Sequence, residues 1–215
     1  MRPPHLGNPE DLKPFIDVLR EGGKIRLVGF LSLIGVENNP FPPHHKIEKY
    51  IEYASLPYCH IRPSFFMQNI SGVHAIEIKH FNKIVVPVKK SLTSFIDAED
   101  VGEITAKVLC EPELHQGKTY SITGAEAIDY WQVAKILSKE LEREIIYTNP
   151  DPSFAKKYWL KIRGLDQDYC TVMGMLYMMT RLGTAKKVTP VFEQVIGKKP
   201  RTFQQFVKKN LAFWQ

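Results

Sequence analysis

Residues 27–66, LVGFLSLIGVENNPFPPHHKIEKYIEYASLPYCHIRPSFF, constrain the fold more than any other stretch of this chain. They read as strand, loop, helix, strand. The first strand, Leu27–Leu33, is an apolar run broken only by Gly29 and Ser32. The helix places Ile47, Tyr50, Ile51 and Ala54 at i, i+3, i+4 and i+7, one face of a 3.6-residue period. The second strand, Tyr58–Ile61, is short and stops at Pro63. Two nearly continuous apolar strands joined by an amphipathic helix specify a parallel pair buried on both faces. Ligands of such sheets sit at the carboxyl ends of the strands. Here those ends are Ser32 and Arg62-Pro63-Ser64, and His44 opens the helix between them. Any chemistry is sought there first.

With 215 residues, 44% of them hydrophobic, the chain can bury one domain, or one domain and a lobe. No apolar run approaches about 18 residues, so no membrane-spanning segment is expected. The N-terminus, MRPPHLGNPEDLK, has no apolar core and does not read as a signal peptide. Cys59, Cys110 and Cys170 are odd in number and far apart. That pattern fits reduced thiols in a cytoplasmic protein and not a disulfide frame or a zinc site. The net charge of +6 is spread over scattered pairs at 89–90, 156–157, 186–187, 198–199 and 208–209. Without a dense basic run interleaved with aromatics, this argues for a solvated basic surface and against nucleic acid. It remains compatible with an anionic ligand.

Along the chain, Asn8 reads as an N-cap with Pro9 at the first helical position, and Leu12, Phe15, Ile16 and Leu19 follow with helical spacing. Pro14 is awkward in that helix, late enough to remove a backbone bond. Phe65–Ser71 reads as irregular or briefly helical. Strands are expected over Lys83–Val88, Lys118–Ile122 and Glu144–Thr148, and a helix over Glu99–Leu109. Asp129 with Gln132 and Thr202 with Gln205 form capping-box pairs at the heads of two further helices. From Asp151 only helices are expected. One of them, Asp168–Leu182, is dense in methionine at 173, 175, 178 and 179, which suggests adaptable core first and a pocket wall second.

Three segments together resemble the NmrA-like family of atypical short-chain dehydrogenase/reductases: FLSLIGVENNPFPPHHKIEKYIE, LPYCHIRPSFFMQN and TSFIDAEDVGEITAKVLCEPELHQGKTYSITGAEAIDYWQVAKILS. The tail VIGKKPRTFQQFVKKNLAFW resembles that family's closing helix. The resemblance covers nearly all of the chain and implies a triphenylmethane reductase-like or NAD(P)H azoreductase-like protein. One departure is plain. Members begin with a strand and a G-x-x-G-x-x-G loop that cradles the cofactor pyrophosphate at a helix N-terminus. No such loop occurs in this sequence. Its start resembles the family segment after the fourth strand, so roughly 60–80 residues, two βαβ units, are expected to be missing. The chain reads as an N-terminally truncated member.

The resemblance also implies site residues. No Tyr-x-x-x-Lys pair occurs in the chain. His44 lies where the lysine of that pair would be, with Glu48 one turn later, and His-x-x-x-Glu resembles the triphenylmethane reductase-like branch. There, positioning the substrate over the nicotinamide of NADPH stands in for a dedicated tyrosine acid. His44 and Ser32 are therefore the expected catalytic residues. The cofactor would be contacted by Pro3, Pro4, Ser32, His44, Arg62, Pro63, Ser64 and Phe65, and the substrate by Phe66, Met67 and Asn69. No metal is expected. The ordinary alternatives stay open: His44 and His45 as a polar helix start with Glu48 on the surface, Ser32 as a small strand-end residue, and Pro63 with its aromatics as punctuation.

The expected fold is α/β: a partial Rossmann-like parallel sheet over residues 1–150 that lacks its N-terminal strands, with an interleaved helical lobe over 151–215. The expected function is reduction of quinone, azo or triphenylmethane-type aromatics with NADP or NAD as cofactor, impaired by loss of the glycine-rich loop. A dinucleotide-sensing regulator and an inactive fragment are the alternatives. A small aromatic substrate and self-association are the expected partnerships.

Overall fold

The computed structural model describes residues 8–215, so Pro3 and Pro4 lie outside the described residues. In chain order the helices are α1 (Lys13–Gly22), α2 (Pro43–Tyr53), α3 (Gln68–Ser71), α4 (Ala75–Phe81), α5 (Ala98–Cys110), α6 (Pro112–His115), α7 (Tyr130–Leu141), α8 (Pro152–Lys161), α9 (Gln167–Arg181), α10 (Val191–Ile196) and α11 (Phe203–Lys209). The strands are β1 (Val28–Leu31), β2 (Tyr58–Pro63), β3 (Lys83–Ile84), β4 (Lys118–Ile122) and β5 (Ile146–Tyr147). The chain folds into two units. One comprises the described residues up to Ser64 with 99–123 and 189–199; the other comprises 65–98, 124–188 and 200–215.

The first unit carries the expected parallel sheet, in the order β1-β2-β4. Val28 pairs with Tyr58 and Leu31 with Ile61, while Cys59 pairs with Lys118 and Pro63 with Ile122. The ladder outlasts the strands. Ser32 N donates to Ile61 O at 2.8 Å, Ile34 N to Pro63 O at 3.1 Å and Ser64 N to Ile122 O at 3.0 Å. These bonds fix the backbone at the carboxyl ends, where the sequence places its candidate residues. The apolar faces of α1 and α2 pack on β1 through Ile16, Val28, Phe30, Ile47, Ile51, Ala54 and Leu56. Each large side chain so buried contributes about 1.5–3 kcal/mol. Asn8 caps a 3-10 turn, Pro9–Leu12, which leads into α1. That turn puts Pro14 at the second position of α1, where a missing N–H interrupts nothing, so the proline fits.

The second unit holds a parallel pair, β3 with β5, shorter than the sequence suggests. Val85, Val86 and Val88 are buried as a strand would be. The ladder nevertheless ends where Thr148 N donates to Ile84 O at 3.1 Å, and Val88 N donates instead to the Tyr147 hydroxyl at 3.2 Å. A side chain has taken the place of the strand partner. Both capping boxes form as read, Asp129 with Gln132 on α7 and Thr202 with Gln205 on α11. Phe203, Phe206 and Val207 of α11 enter the core beside Trp214, whose indole N–H donates to Ile70 O at 3.1 Å. Of the α9 methionines only Met173 is buried; Met175, Met178 and Met179 are exposed, contrary to the core-packing expectation. Among the described residues no helix is long and apolar enough to cross a membrane.

Candidate functional site

The site builds from two periodicities. Strand alternation puts His60 and Arg62 on one face of β2, and four-residue spacing puts His44, Glu48 and Glu52 on one side of α2. Packing α2 against β2 brings the two sets together.

Glu48 is the centre, only 2% exposed. Arg62 Nε donates to its Oε1 at 2.9 Å and Nη2 to its Oε2 at 2.6 Å. Arg62 Nη1 donates to Glu37 Oε2 at 3.1 Å. Burial pushes the Glu48 carboxyl up. Hydrogen bonds from Arg62 and Ser32 and the charge of Arg62 more than cancel this, leaving its pKa below the ordinary carboxylate value. The Ser32 hydroxyl is buried and completes no hydrogen bond of normal geometry among the described residues, yet lies near enough to Glu48 to help hold it ionised. The structure overturns the reading of Glu48 as a surface residue. An acid on the inner side of α2 survives burial because Arg62 meets it there.

His60 is fully buried, stacked on Tyr58 at 4.5 Å and edge-on to Phe30 at 6.0 Å. Its Nε2 lies 3.3 Å from Glu52 Oε1. Burial lowers its pKa against the pull of Glu48 and Glu52, so the ring is neutral at pH 7. Glu48, Glu52 and His60 offer three ligand atoms within 4.8 Å of one another. The Arg62 cation bound directly to Glu48 opposes a metal there, so the group acts as an ion-pair network.

The two histidines at the head of α2 differ. His45 Nδ1 is 2.9 Å from Val36 O and ties the preceding loop to the helix. His44 sits half-buried with its ring 6.2 Å from that of Phe30, and its buried Nδ1 has no hydrogen-bond partner among the described residues. Burial lowers the His44 pKa, opposed by Glu48, so it too is neutral at pH 7.

The structure thus gathers Ser32, His44 and Arg62 around Glu48, with Pro63 and Ser64 continuing the same strand end. Phe65, Phe66, Met67 and Asn69 belong to the second unit. There Phe65 packs partly on the core and stacks with Tyr177 at 6.5 Å, Phe66 bridges Ile96, and Met67 is a core residue. Asn69 is half-buried, and its carbonyl accepts from His74 N at 3.1 Å. Sequence reasoning missed the roles of Glu37, Glu52 and His60. The signal was the four-residue polar spacing of α2 facing the two-residue polar spacing of β2.

The sequence profile of the NmrA-like family matches residues 36–208. The chain belongs to the NmrA-like family. Among curated relatives of this family member, Prestalk A differentiation protein A of Dictyostelium discoideum is 29% identical over 94% of the chain and 65% of its own length. The NAD(P)H azoreductase of Xenophilus azovorans is 26% identical over 77% of the chain and 57% of its own length. The chain thus spans just under two thirds of the first relative and less of the second. The Citrobacter sp. triphenylmethane reductase, solved with NADP(H), superposes with a TM-score of 0.84 at 17% identity, over 97% of the chain and 74% of the reductase. At that identity the likeness establishes the fold: a Rossmann-type parallel sheet.

Proposed function

We propose that this NmrA-like protein belongs to an NAD(P)H-dependent reductase of quinone, azo or triphenylmethane-type aromatics, and that these 215 residues carry its nicotinamide-facing strand ends. The observation that carries the proposal is His44: a neutral imidazole at the carboxyl edge of the sheet whose buried Nδ1 has no partner among the described residues. Beside it stands Ser32, whose buried hydroxyl completes no hydrogen bond of normal geometry among the described residues. Two such polar atoms fit the hydroxyl-bearing part of a nicotinamide ribose or the polar end of a substrate. When bound, the dinucleotide supplies the hydride.

This chain's residues orient and shield. His44 accepts or donates one hydrogen bond without carrying charge, and Ser32 provides a short second contact. Arg62 gives Nε and both terminal nitrogens to Glu48 and Glu37, so its role is to brace the strand end and not to grip phosphate. Pro63 and Ser64 follow at the same strand end as the wall beside the nicotinamide. No glycine-rich loop lies in this sequence, so the pyrophosphate has no cradle here and the polypeptide alone binds dinucleotide poorly.

The test has two parts. Titration of the chain with NADPH and NADH, followed by quenching of Trp131, Trp159 and Trp214, is expected to show no saturation below about 100 μM, and a low-micromolar Kd overturns the impaired reading. NADPH oxidation with menadione, methyl red and malachite green is then measured after adding a polypeptide that carries the glycine-rich strand units of a family reductase. Turnover that drops on His44→Ala supports the proposal. Tight dinucleotide binding with no turnover of any acceptor favours the regulator reading instead.

A further inference from the structure

The core of the second unit holds polar groups that the reductase reading leaves unused. Tyr130, Tyr147, Tyr177 and His74 are all buried there. Phenylalanine would fill the three tyrosine places with no hydroxyl to satisfy. Each hydroxyl is nevertheless met. Tyr177 Oη donates to His74 Nε2 at 2.5 Å, Tyr130 Oη faces the Tyr177 oxygen as a donor, and Tyr147 Oη donates to Asn149 Oδ1 at 3.2 Å. With two tryptophans these rings form one column. Ring centres lie 5.7 Å apart from Trp159 to Tyr177, 5.6 Å from Tyr130 to Tyr147 and 4.6 Å from Tyr147 to Trp131. The facing hydroxyls of Tyr130 and Tyr177 join the two halves. The inner end, Trp159, is sealed, whereas the outer end, Trp131, is 40% exposed. Tyrosine and tryptophan are the ring side chains that give up a single electron most readily, and rings in near contact exchange it.

The proton decides where an electron vacancy comes to rest. A phenol that loses an electron and keeps its proton is an isolated buried cation, which a dry core disfavours strongly. It persists only where a base takes that proton. Of the three hydroxyls, only that of Tyr177 donates to a ring nitrogen; that of Tyr147 meets an amide oxygen, and that of Tyr130 meets another phenol. Trp159 Nε1 has no hydrogen-bond partner among the described residues, so the vacancy does not settle there either. Burial keeps His74 neutral, and the nearby Arg163 cation is paired with Glu77. An oxidised phenol is a far stronger acid than an imidazolium, so the proton crosses to Nε2 even in the core.

We infer that this column carries single oxidising equivalents from the surface at Trp131 to a buried radical on Tyr177, with His74 as the proton acceptor. A one-electron oxidant of the peroxyl or aryl radical class takes one electron from Trp131. The indole is refilled through Tyr147 and Tyr130 by Tyr177, whose hydroxyl proton passes to His74 Nε2. The oxidant gains one electron, Tyr177 becomes a neutral phenoxyl and His74 an imidazolium. A thiol or ascorbate that returns one electron at Trp131 reverses the transfer, and the proton goes back to Tyr177. The column thus quenches a surface radical and holds the phenoxyl out of solvent until it is reduced. This rests on the second unit alone and is independent of the reductase reading.

The test is photo-oxidation of the whole chain with tris(bipyridine)ruthenium(II) and persulfate, trapped by rapid freezing and read by high-field electron paramagnetic resonance. The expected product is a neutral tyrosyl radical whose gx is lowered by a hydrogen bond from His74 and whose spectrum changes in heavy water. Tyr177→Phe and His74→Gln should each abolish that species. Tyr147→Phe should leave the vacancy on Trp131 as an indolyl radical. Trp131→Phe, a change at the surface, should slow the appearance of the Tyr177 signal. Thermal melts confirm folding; if the core variants fail to fold, Trp131→Phe decides. Radicals confined to exposed tyrosines such as Tyr53 overturn the inference. So does a hydrogen-bonded tyrosyl signal that survives Tyr177→Phe, or one whose rate is indifferent to Trp131→Phe.

Discussion

Arg62 holds Glu48 by two parallel hydrogen bonds, 2.9 and 2.6 Å, with the carboxylate nearly sealed from solvent. The pair joins the end of β2 to the middle of α2, so the strand end that carries Pro63 and Ser64 is tied to the helix that carries His44. Losing one partner leaves a buried charge alone. Glu48→Ala or Arg62→Ala should therefore cost about 3–5 kcal/mol in urea unfolding, whereas Glu48→Leu with Arg62→Met should recover most of that loss. A double variant as unstable as the sum of the singles would refute the coupling.

Acid should weaken the fold well before the carboxylates titrate. His74 is fully buried, its Nε2 2.5 Å from the Tyr177 hydroxyl, and burial, with Arg163 adding to it, pushes its pKa down to about 3. The unfolded chain binds a proton near pH 6.5 that the folded chain refuses until about 3, so stability is full above about 6.5 and falls as pH drops. His44 and His60, also lowered, add in the same direction, and Glu48 adds a loss that begins near pH 4.3. His74 alone should account for about 2 kcal/mol between pH 7.5 and 5. His74→Gln should flatten that slope; an unchanged slope in denaturant melts across the range would refute the assignment.

Gly124 passes against the backbone of Phe95. A Cβ there would lie 1.8 Å from Phe95 O, and backbone cannot yield as a side-chain tip would. Gly124→Ala should cost about 2–4 kcal/mol or prevent folding. The control is Gly102→Ala in α5, where a Cβ meets nothing within 4 Å. That change should raise stability by about 0.5–1 kcal/mol.

The neighbours His44 and His45 should separate cleanly in mutagenesis. His45→Ala loses the bond to Val36 O and should cost about 1 kcal/mol. His44→Ala removes a ring nitrogen with no partner among the described residues, so stability should hold within about 0.5 kcal/mol while binding of an aromatic or dinucleotide ligand weakens. Calorimetric melts paired with ligand titrations read both; a large stability loss at His44 would make it structural.

The legible parts of this protein were local. The βαβ unit at 27–66 declared itself through periodicity. The capping boxes at Asp129 and Thr202 declared themselves through a three-residue spacing, since a helix N-terminus is satisfied by its own neighbours. What stayed hidden depended on distant partners. Lys83–Val88 reads as one strand, yet pairs only at its first two residues because its partner β5 is only Ile146–Tyr147; further along, Val88 donates to the Tyr147 hydroxyl. Met175, Met178 and Met179 have core composition and lie outside, because Cys170, Met173 and Tyr177 claimed the buried face of α9.

Sequence alone determined the parallel α/β character of this NmrA-like chain, placed Ser32 and Arg62-Pro63-Ser64 at strand ends and put His44 at the head of the helix between them. Only the tertiary structure decided that Glu48 is buried, that Arg62 is spoken for by two carboxylates, and that His44 and not His45 lacks a ring-nitrogen partner among the described residues. Backbone pattern follows from residues a few positions apart, whereas the state of a charge follows from whichever side chains folding brings within hydrogen-bond reach.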